Sequence, residues 1–363
     1  MDVKQRNSNI ELLRIFSMLA IVFHHFSIHG NFYFSSPSVN SLYLMFIQMG
    51  GKISVVCFTL ISGYFLVNSS GFRLTRLIKL WLQLLTWSLG LYFVSVIAGA
   101  ATFNIKELIQ TLTPVSSEQW WYARAYFVMF LLSPFLNKGL RALSQKQYIN
   151  LLIVETLMWS VLGIITFRGF QSNYLVSLIY YYTIGGYFKL YKDDLSIKKG
   201  HNIAAIAGLG ALTYALRVVL DLLGDKVSLI GLYAPYVYEL GSPFGMLIAI
   251  FTFLLFKNFK VKNSRVINTI AAASFGVYLI HDNEYIRPVL WDRLVNASKL
   301  QDSPYLILYS VAVCVGIYAV CTILELARIY LLEKNYMKLV YRVEPQINRV
   351  IGKILSPIYK IMK

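Results

Sequence analysis

The chain has 363 residues, of which 57% are hydrophobic and 15% aromatic, and its mean hydropathy is +0.58. This composition excludes an ordinary soluble domain and is typical of a protein that crosses a membrane many times. The formal charge of +17 is divided among the segments between hydrophobic runs, so we expect no nucleic-acid partner. Cys57, Cys314 and Cys321 lie in apolar stretches without metal-binding spacing, which predicts buried free thiols and no metal site.

The hydrophobic runs predict an all-α polytopic membrane protein with about ten transmembrane helices. In chain order, the predicted spans are residues 10–29, 42–66, 80–101, 121–137, 150–167, 173–190, 202–222, 240–256, 267–286 and 304–328. The fourth span is short and the ninth contains Asn268 and Ser274, so eight to eleven spans would also fit the sequence.

The basic residues predict the orientation of these spans. If both termini are cytoplasmic, 24 of the 34 Lys and Arg residues lie in inner segments and six in outer segments, in agreement with the positive-inside rule. Residues 1–330 are therefore predicted to form one transmembrane domain within the lipid bilayer. Residues 331–363 are predicted to form a basic amphipathic tail on the cytoplasmic leaflet.

The first span concentrates ionisable side chains. Each costs about 2.5 to 3.5 kcal/mol at a bilayer centre on insertion scales, so a membrane helix seldom keeps several without a chemical use. Arg14 and His25 are separated by ten residues, and about 100° of rotation per residue places them within about 20° of one direction. Glu11 and His29 flank this stripe, whereas His24 points roughly 80° away from Arg14, towards a neighbouring helix or the bundle interior.

The spacing of Arg14 and His25 suggests that the two residues have different roles in one reaction. An imidazole can take and return a proton at neutral pH, so His25 is a candidate base. It lies about 16 Å further towards the outer face than Arg14, which could meet an anionic donor near the inner face. The alternative is that these groups hydrogen-bond other helices and stabilise the bundle, and this explanation is stronger for His24 and His29.

Two segments near the inner face are further candidates. Arg73 and Arg76 belong to a basic loop that either anchors the membrane helix or binds the phosphates of a cofactor. The second span ends in residues 62–64, whose glycine permits close backbone approach and whose Ser62 and Tyr64 supply hydroxyls. These hydroxyls, or a backbone N–H, are candidates for stabilising an oxyanion.

The candidates near the outer face are mainly aromatic. Trp121 fits an aromatic belt at the membrane interface, and Arg124 lies one turn deeper as a contact for an acceptor or a lipid. Tyr278 and His281 lie towards the outer end of the ninth span. At that position, His281 is as compatible with a solvated histidine as with a functional one.

As a set, these motifs resemble the membrane acyltransferase-3 family over residues 8 to 330. The resemblance is carried by residues 11–14 followed after ten residues by His25, by residues 58–64, by the Arg73 and Arg76 loop, by residues 121–122 and by residues 274–281. The spacing of Arg14 and His25 is the most specific of these motifs.

The resemblance implies transfer of an acyl group, usually acetyl, from cytosolic acyl-CoA to a hydroxyl at the outer side of a bacterial plasma membrane. The implied acceptor is a cell-surface polysaccharide or another glycan. His25 matches the essential histidine of the family, Arg14 the basic residue of the same motif, and Arg73 and Arg76 the arginines associated with the donor. Direct transfer and an acyl-histidine intermediate both remain open, as do a homo-oligomer and an extracytoplasmic partner protein.

The main alternative from another class is a transporter or flippase of lipid-linked sugars. In such a protein, Arg14 and His25 would bind substrate or relay protons. Transporters often contain inverted repeats, and the absence of internal symmetry in this sequence mildly favours the enzyme.

Overall fold

The computed structural model describes residues 6–33, 37–69, 74–117, 119–165, 172–224 and 226–361. Within these ranges the chain forms helices and no strands, which confirms the all-α class. Cys57, Cys314 and Cys321 are buried and free, as expected from their apolar surroundings.

The helices are α1 Ser8–His29, α2 Val39–Leu66, α3 Leu74–Ile97, α4 Ile105–Leu112, α5 Trp121–Ala142, α6 Gln145–Thr156, α7 Leu162–Ile165, α8 Tyr174–Tyr191, α9 Lys199–Gly224, α10 Ser228–Tyr233, α11 Pro243–Lys257, α12 Arg265–His281, α13 Leu306–Arg328 and α14 Lys334–Ile361. The π-helical turn Leu157–Val161 joins α6 to α7, and a second π-helical turn, Ile329–Glu333, joins α13 to α14. Each predicted span overlaps one of these helices or, for the fifth span, the continuous α6–α7 segment.

Six helical segments in the described ranges are long and apolar enough to cross a membrane. They are α1, α2, α3, α6 with its continuation, α9, and α13 with its continuation. Of the other predicted spans, α11 has 15 residues and α12 has 17, which is less than the about 20 residues that usually cross a bilayer core. The chain is thus a multi-pass membrane protein, whereas the count of ten and the orientation of the termini stay predictions.

Polar N-cap residues determine where several helices begin. The side chains of Ser38, Ser144, Asn173, Ser242 and Ser264 each accept a hydrogen bond from the backbone N–H three residues further on. These bonds satisfy N–H groups that have no partner inside the helix. The cap at Asn173 fixes the start of α8 beside α5.

Helix α1 lies inside the bundle and packs against α2, α11, α12 and α13. Its apolar residues Leu13, Val22 and Phe26 are almost completely buried. With neighbours on several sides, the polar residues of α1 face other helices rather than lipid. This arrangement lets a membrane helix hold several ionisable groups.

Two glycines allow α2 and α8 to cross closely. A Cβ atom at Gly63 would lie 2.1 Å from the carbonyl oxygen of Tyr182, and one at Gly185 would lie 2.2 Å from that of Leu60. Any side chain at either position would push the two backbones apart. The close approach expected of Gly63 is therefore confirmed.

A buried charge network joins α3, α13 and the π-helical turn that follows α13. Glu325 accepts hydrogen bonds from Gln83 at 2.8 Å and from Arg328 at 2.7 and 2.9 Å. Arg328 also donates to Glu333 at 2.7 Å, and Glu333 pairs with Lys79. The network spans the π-helical turn Ile329–Glu333, and the predicted boundary between the transmembrane domain and the tail falls within this turn. The contact of the tail with the cytoplasmic leaflet stays a prediction.

Candidate functional site

Helices α1 and α12 bring His25 and His281 into direct contact. The Nδ1 atom of His25 lies 2.8 Å from Nε2 of His281, and Nδ1 of His281 lies 2.6 Å from the carbonyl oxygen of Val277. Since a carbonyl only accepts, Nδ1 of His281 carries a proton, and in the neutral ring Nε2 of His281 is an acceptor. Nδ1 of His25 is then the donor, which leaves a lone pair on Nε2 of His25.

Asp282 forms the centre of a charged cluster beside this pair. Its Oδ1 atom lies 3.0 Å from Nε of Arg287, 3.3 Å from Nε2 of His29 and 3.9 Å from Nδ1 of His25. The positive charge of Arg287 and the neighbouring imidazoles of His29 and His25 favour the ionised form of the Asp282 carboxyl. Asp282 is therefore an anion at neutral pH and links the ends of α1 and α12.

The same cluster contains a possible set of metal ligands. His25, His29 and Asp282 each offer one ligand atom, and the three atoms lie within 4.8 Å of one another. Imidazole and carboxylate are common zinc ligands. However, Arg287 already lies 3.0 Å from the carboxylate oxygen, and His281 already contacts Nδ1 of His25. A cation bound to Nδ1 of His25 and Oδ1 of Asp282 would have to displace both contacts, so at these two atoms the residues fit an ion-pair network better than a metal centre.

His25 lines a cavity of about 220 Å³, here called the His25 cavity. Its other polar lining includes His24, His29, Lys52, Tyr278 and Asp282. The Nδ1 atom of His24 lies 2.7 Å from the carbonyl oxygen of Gln48, so this ring faces the neighbouring helix α2 as its projection predicts.

A second cavity, of about 380 Å³, lies around Arg14 and is called the Arg14 cavity. Arg6 and Lys79 add two further cations to its lining, and Ser62 and Gln83 add neutral polar groups. Nη1 of Arg14 lies 3.1 Å from both carboxylate oxygens of Glu11, so the glutamate orients the guanidinium and offsets part of its charge. The cavity combines a cationic lining with the apolar walls of a helix bundle.

The His25 and Arg14 cavities meet at a partition of four shared residues, Ile21, Val55, Tyr122 and Tyr278. The rings of Tyr122 and Tyr278 pack edge to face, with their centroids 6.1 Å apart. The buried hydroxyl of Tyr278 lies near the backbone of Tyr122 but makes no hydrogen bond of good geometry to a described residue. Leaving such a group unpaired costs about 1 to 3 kcal/mol, so it is a good candidate to bind a ligand.

The predicted stripe on α1 follows these two cavities. Arg14, Met18 and Ile21 line the Arg14 cavity, and Ile21 and His25 line the His25 cavity. The helical periodicity of α1 therefore predicted one lining residue of each cavity, Arg14 and His25.

The other predicted donor-side residues are distributed differently. Ser62 lines the Arg14 cavity and donates to the carbonyl oxygen of Phe58 at 3.0 Å. Tyr64 is not brought to the described lining of either cavity, because its hydroxyl donates to the carboxylate of Asp193. Arg73 lies outside the described residues, whereas Arg76 belongs to α3, one turn before Lys79.

Two of the four predicted outer-side residues line the His25 cavity. Tyr278 and Trp121 line it, and Arg124 lines a separate cavity next to Trp121. His281 is completely buried beside His25, so the solvated alternative does not apply.

Several lining residues carry no functional signal in the sequence. These are Arg6, Lys52, Asp282 and Arg287. Lys79 is the third cation of the basic segment that contains Arg73 and Arg76, and it does line the Arg14 cavity. Asp282 directly follows His281, and this adjacency was the only local signal for it. The Lys and Arg residues served to predict the orientation of the spans. That count does not indicate which of them line a cavity.

Comparison with known proteins identifies the domain. A family model described as an acyltransferase domain matches residues 7–326, a range that includes the described lining of both cavities except Arg6. No curated protein and no solved structure matches the chain. Because the family match covers most of the sequence, the chain belongs to the acyltransferase-3 family.

Proposed function

We propose that this protein transfers an acetyl group from acetyl-CoA to a hydroxyl of a cell-surface glycan. In this proposal the donor enters from the cytoplasm, and the acceptor binds at the outer side of a bacterial plasma membrane. The observation that carries the proposal is the contact between His25 and His281, because it leaves one nitrogen of His25 as a base beside a cavity. Membership of an acyltransferase family supports an enzyme rather than a transporter.

The Arg14 cavity is the proposed site of the donor. Coenzyme A carries several phosphate charges, and Arg6, Arg14 and Lys79 supply cations that can pair with them. Arg73 and Arg76 are proposed to extend this cationic surface. The thioester would reach His25 through the partition that contains Tyr122 and Tyr278, since these side chains line both cavities.

The proposed reaction begins when Nε2 of His25 takes the proton of the acceptor hydroxyl. The hydroxyl oxygen forms a bond to the thioester carbonyl carbon, whose oxygen becomes an oxyanion. The carbon–sulfur bond then breaks, and the protonated His25 returns the proton to the leaving thiolate. The products are the acetyl ester and free coenzyme A, so atoms and charge balance.

Two residues support this step. The unpaired hydroxyl of Tyr278 can donate a hydrogen bond to the oxyanion, a role that favours the transition state. His281 accepts from Nδ1 of His25 and thereby holds the tautomer in which Nε2 is the base. An acetyl-histidine on Nε2 would use the same arrangement, and rapid acid quenching of the reaction would detect it.

The test is acetyl transfer by the purified full-length protein in lipid nanodiscs, with radiolabelled acetyl-CoA and the surface glycans of a deletion strain. His25→Ala should lower the rate by about 10²- to 10⁴-fold, the usual contribution of a general base. His201→Ala is the matched control, because His201 is an exposed histidine on α9.

Retention of the wild-type rate by His25→Ala would disprove the assigned role. If the wild-type protein released no coenzyme A with any glycan fraction, transport would become the better explanation. Mass spectrometry of glycans from wild-type and deletion strains would identify the acceptor as the glycan that lacks an acetyl group in the deletion strain.

A further inference from the structure

The ring of His24, the residue before His25 on α1, is held against α2 in one orientation. Its Nδ1 atom lies 2.7 Å from the carbonyl oxygen of Gln48. At the opposite edge of the ring, a Cβ atom at Gly51 would lie 2.3 Å from Cγ and 2.7 Å from Cδ2 of His24. Only glycine therefore leaves room for the imidazole. The hydrogen bond and the packing together determine the position of the ring and its tautomer.

This tautomer leaves one acceptor atom on the ring of His24. Because a carbonyl only accepts, Nδ1 carries the proton, and Nε2 of the neutral ring carries a lone pair. No described residue makes a hydrogen bond to Nε2, and His24 lines the His25 cavity. The contact with α2 thus accounts for one nitrogen of His24, while the second nitrogen needs a donor from elsewhere.

The His25 cavity consequently has two neutral imidazoles of the same kind in its lining. Nε2 of His25 also carries a lone pair, because Nδ1 of His25 contacts His281. The centroids of the His24 and His25 rings are 5.5 Å apart. Two hydroxyls on adjacent carbons of one sugar, each about 2.8 Å from its own nitrogen, can bridge two rings at this separation.

A nearby carboxylate distinguishes the two rings. Oδ1 of Asp282 lies 3.9 Å from Nδ1 of His25, so it stabilises the positive charge that forms when His25 takes a proton. Among the residues that the structure describes, no carboxylate lies within ion-pair distance of His24. His25 is therefore suited to move a proton, and His24 is suited to accept a hydrogen bond without taking the proton.

We propose that His24 binds a second hydroxyl of the acceptor sugar, on the carbon next to the one that is acetylated. Nε2 of His24 accepts a hydrogen bond from this second hydroxyl, which keeps its proton. The first hydroxyl is thereby positioned at Nε2 of His25. This inference rests on the proposed function and specifies its acceptor as a sugar with two adjacent free hydroxyls.

Two substitutions of His24 separate acceptor binding from a structural role. In His24→Asn, the side-chain amide can still donate to the carbonyl oxygen of Gln48, but it is too short to replace Nε2. In His24→Gln, the longer side chain can bring its amide oxygen to the position of Nε2, but it loses the bond to Gln48. The measurement is the KM for the glycans of a deletion strain in the acetyl-transfer assay.

We expect His24→Asn to raise the KM for the glycan at least about tenfold, which corresponds to about 1.4 kcal/mol, and His24→Gln to raise it less. His201→Asn, at an exposed histidine, is the control. A merely structural role predicts the reverse order, because only His24→Asn keeps the bond to α2. That reverse order, or a wild-type KM in both variants, would overturn the inference and leave the proposed acetyl transfer standing.

Periodate oxidation tests the pair of hydroxyls with the wild-type protein alone. Periodate cleaves the bond between two carbons that carry free hydroxyls, so an acetyl ester on either hydroxyl protects the pair. We expect each acetyl group added by the protein to remove a periodate-sensitive diol from the glycan. Unchanged periodate consumption after acetylation would overturn the inference, although acetyl transfer would have been demonstrated. Absence of any transfer would instead disprove the proposed function, and the inference with it.

Discussion

The Nδ1 atom of His25 lies 2.8 Å from Nε2 of His281, although the two residues are 256 positions apart. The second nitrogen of His281 is held by the carbonyl oxygen of Val277 in the preceding turn of α12. One ring is thus oriented by its own helix and, in turn, determines the tautomer of the other. This relationship converts His25 from a buried polar residue into a base with a defined accepting nitrogen.

His281→Ala should lower kcat by about 10- to 100-fold, similar to the cost of removing the partner that orients a metal-bound histidine. His281→Gln should recover part of the rate, because the side-chain oxygen of Gln can accept from Nδ1 of His25. Steady-state acetyl transfer would be measured for both variants, together with their folding. Equal loss in the two variants would indicate a merely structural role for His281.

Tyr278→Phe removes only the hydroxyl and keeps the packing of the ring against Tyr122. We expect kcat to fall by about 10²- to 10³-fold, the cost of losing one donor to an oxyanion, with a smaller change in the KM for acetyl-CoA. Tyr305→Phe is the control, since Tyr305 is exposed. An unchanged kcat in Tyr278→Phe would mean that another group stabilises the oxyanion.

Arg14→Gln and Lys79→Gln should each raise the KM for acetyl-CoA by about tenfold or more, because a hydrogen bond to a charged group contributes about 1.5 to 3 kcal/mol. The effect should decrease at high salt, which screens charges near a surface. Lys106→Gln, at an exposed position on α4, should keep the wild-type KM. A salt-independent KM in the wild-type protein would argue against phosphate binding by these cations.

Asp282→Asn should destabilise the protein at neutral pH. The substitution removes the negative charge that lies 3.0 Å from Nε of Arg287 and leaves this guanidinium without its carboxylate partner. The expected loss is about 1 to 3 kcal/mol in the free energy of unfolding. Thermal unfolding of the protein in detergent at neutral pH measures it.

Asp302→Asn is the control for this prediction, because Asp302 is exposed on the same side of the bundle and hydrogen-bonds Tyr33. If Asp282→Asn and the wild-type protein unfolded at the same temperature at neutral pH, the ion-pair cluster would contribute nothing to stability.

Removal of metals should leave acetyl transfer unchanged, although His25, His29 and Asp282 could hold a cation by distance alone. The prediction follows from the contacts of Arg287 and His281, which already occupy Oδ1 of Asp282 and Nδ1 of His25. The measurement is the rate after dialysis against EDTA, with metal content determined by mass spectrometry. Loss of activity that returns with added zinc would establish a metal-dependent site.

Local sequence patterns were sufficient for the features that depend on a single helix. Hydropathy located helices that could span a membrane, and the 3.6-residue period aligned Arg14 with His25 along two cavities. The glycine in residues 62–64 indicated a close helix crossing, because only a residue without Cβ permits such an approach. These features could be read directly because each is determined by neighbouring residues.

The tertiary structure alone decided which helices supply partners to α1. It paired His25 with His281, gathered Arg287 around Asp282, and left the hydroxyl of Tyr278 unpaired between two cavities. It also directed Tyr64 to Asp193, away from the described lining of either cavity. Helix periodicity states which residues share a face but not which distant face packs against it, because that choice depends on the packing and polar contacts of the whole bundle.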